Sequence, residues 1–437
     1  MSGKDCFEIL EKIFIQKNKQ SINEIKGYSI KYGNIIDENG NVIDEVLVSY
    51  FKEPKSYTTE NMCEINSHGG NVVVKRILEI CLKNGAELAE PGEFTKRAFL
   101  NGRIDLLQAE SVIDIINAKS ERESGAGIKQ LEGALSNEIA KIKQEILDVM
   151  VNIEVSIDYP EYDVDDVTNK QIIDMLSSVE NKLVKLEKSF DNGKIIKEGI
   201  KTAIIGRPNA GKSSLLNAIL REDRAIVTEI EGTTRDTIEE FVNINGIPLK
   251  LIDTAGIRKA KDEVEKIGIA KSREIANSAD LIIAIFDSSK GLSEEDLEIL
   301  EIAKNKKSII ILNKIDLKPV LDENNEKLRE TSKNIIKISA LNNLGIDNLY
   351  ENITNLFELN EINLDNEVVI TNVRHKNLIA KALKNVKNAQ ETIKNEMPID
   401  IVAISIKDIL EDLGNITGEI VSEDIINEIF SKFCLGK

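Results

Sequence analysis

The segment from Ala203 to Leu220, AIIGRPNAGKSSLLNAIL, constrains the chain more than any other stretch. Three apolar residues read as the end of a strand. Gly206 and Gly211 then enclose a loop that ends in Lys212-Ser213, and Ser214 to Leu220 continue as a helix. Glycines at those places let backbone N–H groups turn inward at a helix N-terminus, where they bond phosphate oxygens. Lys212 would reach the outer phosphates and Ser213 would ligate Mg²⁺. A loop of this kind needs a strand before it and a helix behind it, so this part of the chain is expected to be an α/β fold.

The surroundings carry the same message. Between Gly199 and Leu356, short β-rich runs (TAIIG, LKLIDT, DLIIAIFD, KSIIILNK and IIKISA) alternate with helical stretches. That alternation predicts βαβ units and a parallel sheet. Three further motifs stand at the ends of these runs, where α/β sheets bind ligands. Asp253-Thr254-Ala255-Gly256 would set a carboxylate near Mg²⁺ and a glycine near the γ-phosphate. Asn313-Lys314-Ile315-Asp316 supplies a carboxylate that can accept from N1–H and the 2-amino group of guanine. Adenine has no such donor pair, and a buried carboxylate left unpaired rejects it. Ser339-Ala340-Leu341 would back the base. With Asn209, Ala210, Gly211, Lys212, Ser213 and Ser214 on the phosphates, the nucleotide is GTP or GDP.

Two features bear on turnover. Ile257 follows the DTAG motif where small signalling GTPases carry a water-orienting Gln, and an apolar side chain cannot polarise water. Glu265 is the candidate replacement, although spacing alone reads it as a solvated helix charge. Asn209 in the phosphate loop and Gly232-Thr233-Thr234-Arg235-Asp236 in the expected first switch could hold a monovalent cation where an arginine finger's charge is otherwise needed. Thr234 is the expected Mg²⁺ ligand of that segment. Potassium-stimulated hydrolysis is the expectation, and equal turnover in Na⁺ and K⁺ would sink it.

At 437 residues the chain is too long for one ordinary core, so further domains flank this segment. The first hundred residues mix signals: a strand over Val42–Tyr50 after the turn Asp37 to Gly40, and a helix over Val72–Asn84 ending at Gly85. Long amphipathic helices follow from Asp105 to Ile157 and from Lys170 to Phe190, and helical periodicity returns from Val368 to Phe433. The pattern alone fits either one helical domain with an insertion or two separate helical domains. The net charge of −18 argues against a broad nucleic-acid surface. Four scattered cysteines, Cys6, Cys63, Cys81 and Cys434, suit a reducing cytosol. Neither a signal pattern nor a membrane-spanning apolar run is read, so a cytoplasmic protein without a membrane partner is expected.

These residues resemble the MnmE (TrmE) family of tRNA modification GTPases, within the wider TrmE-Era-EngA-like group. The resemblance covers essentially the whole chain. GRPNAGKSSLLNA, GTTRD and DTAGIRKAKDEVEKIGI carry it in the GTPase segment, and CEINSHGG, PGEFTKRAFLNGRIDLLQAE and the terminal FCLGK carry it outside. It implies an α+β N-terminal folate-binding and dimerisation domain over 1–101. It also implies an all-α helical domain over 102–195 and 361–437, interrupted by an α/β P-loop, Ras-like GTPase domain over 196–360. The insertion is thereby favoured over two helical domains.

The resemblance implies cofactors and partners too. The K⁺ ligands map to Asn209, Thr228, Ile230 (backbone) and Thr233, and Glu265 falls on the family's water-orienting Glu. A one-carbon tetrahydrofolate would meet Glu64, Arg103 and Lys437, and Cys434 would stand near it and in the chemistry. Without the resemblance, Cys434 reads as a buried apolar cysteine, and Glu64 and Arg103 as surface charges. His68-Gly69-Gly70 reads as a turn with a capping role. The implied partner is MnmG, which uses FAD and NADH. In a heterotetramer with a homodimer of this chain it would add an aminomethyl or carboxymethylaminomethyl group at C5 of wobble uridine in certain tRNAs. The tRNA would be met mainly through that complex. Family members open with a strand ending in Arg-x-Ser-Gly, and here Met1-Ser2-Gly3 aligns with its end; a start misassigned at an internal Met is the expectation. A ribosome-assembly or regulatory GTPase without modification chemistry is the alternative, disfavoured by the acidic charge and by the absence of a GxxG loop in a basic context.

Overall fold

The computed structural model describes residues 1–17, 27–158, 165–221, 225–226, 240–244, 246–252, 268–358 and 368–436, which form two compact units. From the N-terminus the elements are α1 (Cys6–Ile13), β1 (Phe14–Gln16), β2 (Tyr28–Ile36), β3 (Val42–Phe51), β4 (Met62–Asn66) and α2 (Asn71–Lys83). Helices α3 (Glu93–Leu100), α4 (Leu106–Asn117), α5 (Glu121–Leu131), α6 (Ala134–Asp158) and α7 (Asp165–Glu198) follow. Next come β5 (Ile200–Ile205), α8 (Lys212–Arg221), β6 (Ala225–Ile226), β7 (Glu240–Ile244), β8 (Ile247–Leu251) and α9 (Gly268–Ser278). Then β9 (Leu281–Asp287), α10 (Glu294–Lys304), β10 (Ser308–Asn313), α11 (Glu326–Thr331), β11 (Ile335–Lys337) and α12 (Ile346–Leu356) appear. The last are α13 (Val373–Lys394), α14 (Ile399–Thr417) and α15 (Glu423–Ser431).

One unit comprises Met1–Ile113, Gln130–Ile172 and Asn388–Lys437. Its sheet has the order β1-β2-β3-β4, each strand antiparallel to the next. Alternation decides which face is covered: along β3, Val46, Val48 and Tyr50 are buried while Leu47 is exposed. Helices α1 and α2 pack against this sheet, around a core that includes Leu10, Ile13, Ile35, Val48, Tyr50 and Ile77. The expected strand at Val42–Tyr50 is present and reaches Phe51. The expected helix over Val72–Asn84 spans Asn71–Lys83, and Gly85 just beyond it takes φ +106°.

In the helical part of the same unit, Leu135, Ile139, Ile142, Ile146, Val149 and Ile153 are buried along α6 at intervals of three or four. Val402, Ile406, Ile409, Leu413 and Ile416 repeat that spacing on α14, which packs against α6. Phe430 and Phe433 join Ala98, Ile104 and Leu106 in a smaller cluster. Helices from before and after the α/β segment therefore share one core. Most of α7 and the greater part of α13 belong instead to the other unit.

The other unit comprises Asp114–Lys129 and Ile173–Lys387. Its sheet has the order β11-β10-β9-β5-β8-β7-β6. Strands β11, β10, β9, β5 and β8 run parallel, and β7 and β6 continue the edge antiparallel. The expected parallel sheet is thus present, with an antiparallel extension that periodicity does not distinguish. Every residue of β9 and β10 is buried, as expected of parallel strands covered on both faces. β5 lies between β8 and β9, so its carboxyl end is where the sheet offers a crevice.

Candidate nucleotide-binding site

The phosphate loop leaves β5 at Ile205 and enters α8 at Lys212. Both glycines are sterically required. A Cβ on Gly206 would stand 2.6 Å from the Ile285 carbonyl oxygen. Gly211 has φ +110°, and a Cβ there would stand 2.0 Å from Asn313 Nδ2. Lys212 Nζ donates to Gly206 O at 2.6 Å and Arg207 O at 2.9 Å, so the ammonium spans the loop it closes. Asn209 is exposed at the tip in a left-handed conformation, φ +61°. Ser213 and Ser214 are exposed in the first turn of α8, while Ala210 is buried.

Asn313 ends β10 and is 2% exposed. Its Nδ2 donates to Ala210 O at 2.9 Å, and its Oδ1 accepts from Ala340 N at 3.0 Å. One buried amide therefore ties the phosphate loop to the loop after β11. Ser339 and Leu344 close that second loop with two reciprocal backbone bonds of 3.1 Å. Ser339 Oγ donates to Asp316 Oδ1 at 2.6 Å, orienting the carboxylate, and the Leu341 side chain stands in solvent at 81% exposure. Of the four motifs expected at the site, the three within the described residues meet, joined by hydrogen bonds among their own residues.

Asp287 belongs to the site although sequence reasoning passes over it. The Lys314 ammonium donates to Asp287 Oδ2 at 2.7 Å, and the Ser289 hydroxyl and amide donate to Oδ1 at 2.6 and 3.0 Å. Burial works to raise this carboxyl, but Lys314 and Ser289 outweigh it and hold it below the ordinary aspartate value. The available signal is a charge closing an otherwise apolar strand, LIIAIFD. A depressed carboxyl stabilises the fold above its unfolded value, about 3.9, and loses that contribution as pH falls through the lower folded value. The thermal midpoint of the parent should exceed that of Asp287→Asn by a constant margin from neutral pH to about pH 4.5, equivalent to about 1 kcal/mol. Below about pH 3.9 the margin should narrow; a margin that widens on acidification would contradict this assignment.

Thr228, Ile230, Thr233, Thr234, Asp253, Thr254, Ala255, Gly256, Ile257, Glu265 and Lys437 lie outside the described residues. In the other unit, Glu64 is exposed on β4. The Arg103 guanidinium lies 4.7 Å from the centroid of the Tyr57 ring and donates to Tyr57 O at 3.0 Å. Cys434 is exposed, so the reading of it as a buried apolar cysteine is corrected; its carbonyl accepts from Gly92 N at 3.3 Å. No hydrogen bond or ion pair among the described residues joins Glu64, Arg103 and Cys434 to one another. His68 does not cap α2: Gly70 is the cap position, and the His68 amide and Nδ1 both bond the Asp44 carboxylate at 2.8 Å.

The family model described as MnmE helical domain matches residues 106–434, and that described as GTP-binding protein TrmE N-terminus matches residues 1–103. The tRNA modification GTPase MnmE of Acetivibrio thermocellus is 50% identical over 438 aligned residues, covering 100% of this chain and 95% of that protein. The chain belongs to the MnmE family of tRNA modification GTPases. MnmE of Alkaliphilus oremlandii, at 48% identity with the same two coverages, and MnmE of Clostridioides difficile, at 48% over 439 aligned residues, are further relatives. No helix of the described residues is long and apolar enough to cross a membrane.

Proposed function

We propose that this MnmE-family chain hydrolyses GTP with Mg²⁺ and K⁺ and couples turnover to tRNA modification. The observation that carries the reading is the Asn313 bridge, which sets a phosphate-binding loop and a guanine-reading carboxylate in one frame. Asn209 to Ser214, Lys314, Asp316 and Ser339 to Leu341 hold the nucleotide, with Thr228, Thr233, Thr234 and Asp253 to Gly256 completing its contacts. Ser213 stands in the exposed first turn of α8, where a hydroxyl suits a hard cation, and Thr234 is its partner in binding Mg²⁺. Asn209 presents an amide at the exposed tip, which suits K⁺ together with Thr228, Ile230 and Thr233. Glu265 orients the attacking water, and Lys212 balances charge on the outer phosphates.

The product of the coupled reaction is an aminomethyl or carboxymethylaminomethyl group at C5 of wobble uridine, made with MnmG, which carries FAD and NADH. The relatives' shared description as tRNA modification GTPases supports this reading. The one-carbon tetrahydrofolate is met by Glu64, Arg103 and Lys437, with Cys434 near it; the exposure of Glu64, Arg103 and Cys434 leaves them open to a ligand. A cytoplasmic homodimer is the working form, and 1–101, 102–195 with 361–437, and 196–360 are its domains.

Nucleosides from bulk tRNA of a deletion strain should lack the C5-aminomethyl-type uridines, restored by this gene and not by an Asp253→Ala version. Unchanged nucleosides would sink the modification reading and leave the nucleotide site standing. In vitro, KCl should support GTP turnover at least about tenfold faster than NaCl, since a bound monovalent cation stands in for an arginine finger.

A further inference from the structure

The carboxylate of Asp296 lies beside the phosphate loop and has more hydrogen-bonding capacity than its own helix uses. Asp296 sits in the first turn of α10 and is 2% exposed. Its Oδ2 accepts from the Ser293 amide and hydroxyl, both at 2.9 Å, while Asp296 N donates to Ser293 Oγ at 3.3 Å. That exchange caps the helix and satisfies one oxygen. The same Oδ2 faces Arg207 Nε at 3.5 Å. Oδ1 is buried with no hydrogen-bond partner among the described residues. A cap needs neither the guanidinium nor a second oxygen.

Arg207 occupies one of the unspecified positions of the GxxxxGKS pattern, yet its backbone is structural. Its carbonyl accepts from Lys212 Nζ at 2.9 Å and from Ala210 N at 3.3 Å. A continuous path thus runs from the Asp296 carboxylate through the Arg207 side chain and carbonyl to the ammonium that spans the loop. A guanidinium is a rigid fork that matches a carboxylate with two parallel bonds. Here the fork is half engaged: one long contact is made and one carboxylate oxygen is unused.

We propose that Asp296 is a positioning residue for the phosphate loop, anchoring Arg207 to α10 and thereby setting the carbonyl that orients Lys212. The inference rests on the reading of this loop as a GTP site. Arg207 held this way is kept off the phosphates, so Lys212 remains the loop's own cation there. An unanchored guanidinium would compete for phosphate oxygens and pull the first turn of the loop out of register.

The test is titration of the full chain with a fluorescent GDP analogue, with GTP turnover measured alongside, for Asp296→Asn, Arg207→Gln, their double variant and Ser293→Ala. Asp296→Asn keeps an oxygen for the helix cap while removing the charge. It and Arg207→Gln should each weaken nucleotide binding about tenfold, with KM rising more than kcat falls. The double variant should bind no worse than the weaker single, as expected of one coupled pair. Ser293→Ala removes the cap hydroxyl and the bond it gives Asp296 Oδ2, but keeps the carboxylate's charge and its bond from the Ser293 amide; it should lower the melting temperature and leave affinity within about twofold of the parent. Parental affinity in both single variants, additive losses in the double, or an equal loss in Ser293→Ala would each overturn the proposal. Should Asp296→Asn fail to fold, Arg207→Gln decides alone: its side chain is partly exposed, and unchanged affinity there overturns the anchor. A parent that binds no guanine nucleotide at all would instead refute the reading of the site itself.

Discussion

Asp316→Asn is expected to lower GDP affinity by roughly 10³-fold and to turn preference toward xanthosine diphosphate. The substitution preserves shape, and an Asn oxygen can still accept the 2.6 Å bond that Ser339 Oγ donates to Asp316 Oδ1. What changes is the other arm of the group. A carboxylate accepts from two adjacent donors, N1–H and the 2-amino group, whereas an amide offers one donor and one acceptor. Guanine then meets an N–H where it needs an oxygen, and xanthine, with a carbonyl at position 2, meets a match. Competition titrations with GDP and xanthosine diphosphate against one fluorescent probe measure both affinities. Equal GDP affinity in parent and variant would mean that Asp316 does not read the base.

Gly211→Ala should abolish measurable nucleotide binding and cost about 3 kcal/mol of stability. Two effects add. The backbone at φ +110° disfavours any Cβ, and that Cβ would lie 2.0 Å from Asn313 Nδ2, which is backed by buried structure and cannot swing aside. To admit the methyl, the amide must give up its bonds to Ala210 O and Ala340 N, and the two halves of the site lose their link. Gly291→Ala is the matched control, because a Cβ there would meet nothing within 4 Å and its φ is not left-handed. Its melting temperature and GDP affinity should match the parent; a parental profile for Gly211→Ala would show that the loop is not held by Asn313.

Much of this is legible in the sequence because the informative residues are local. The phosphate loop, Asn313 to Asp316 and Ser339 to Leu341 each follow a strand directly, and a short motif beside a strand is recognisable from spacing alone. The helical faces are legible for the same reason: apolar residues of α6 and α14 recur every three or four positions. The antiparallel β7 is not, since strand direction depends on which neighbour a strand finds. Cys434 reads as buried because cysteine usually is, yet it follows the last helix and little covers it. Asp287 and Asp296 escape a reading of the sequence because a lone acidic residue carries no pattern; each gains meaning only from a cation that arrives from a distant part of the chain.

By itself the sequence determined the α/β segment, the base it reads and the helical character of its flanks, because backbone periodicity and short motifs express local stereochemistry. Tertiary structure alone decided that α6 and α14 share a core although the α/β segment separates them in sequence. It alone decided that Asn313 joins two loops, that Lys314 pairs with Asp287, and that Arg207 faces Asp296. The Lys314 bond crosses 27 residues of chain and the longer Asn313 bond crosses 103, and only the packing of a sheet brings such distant groups within reach.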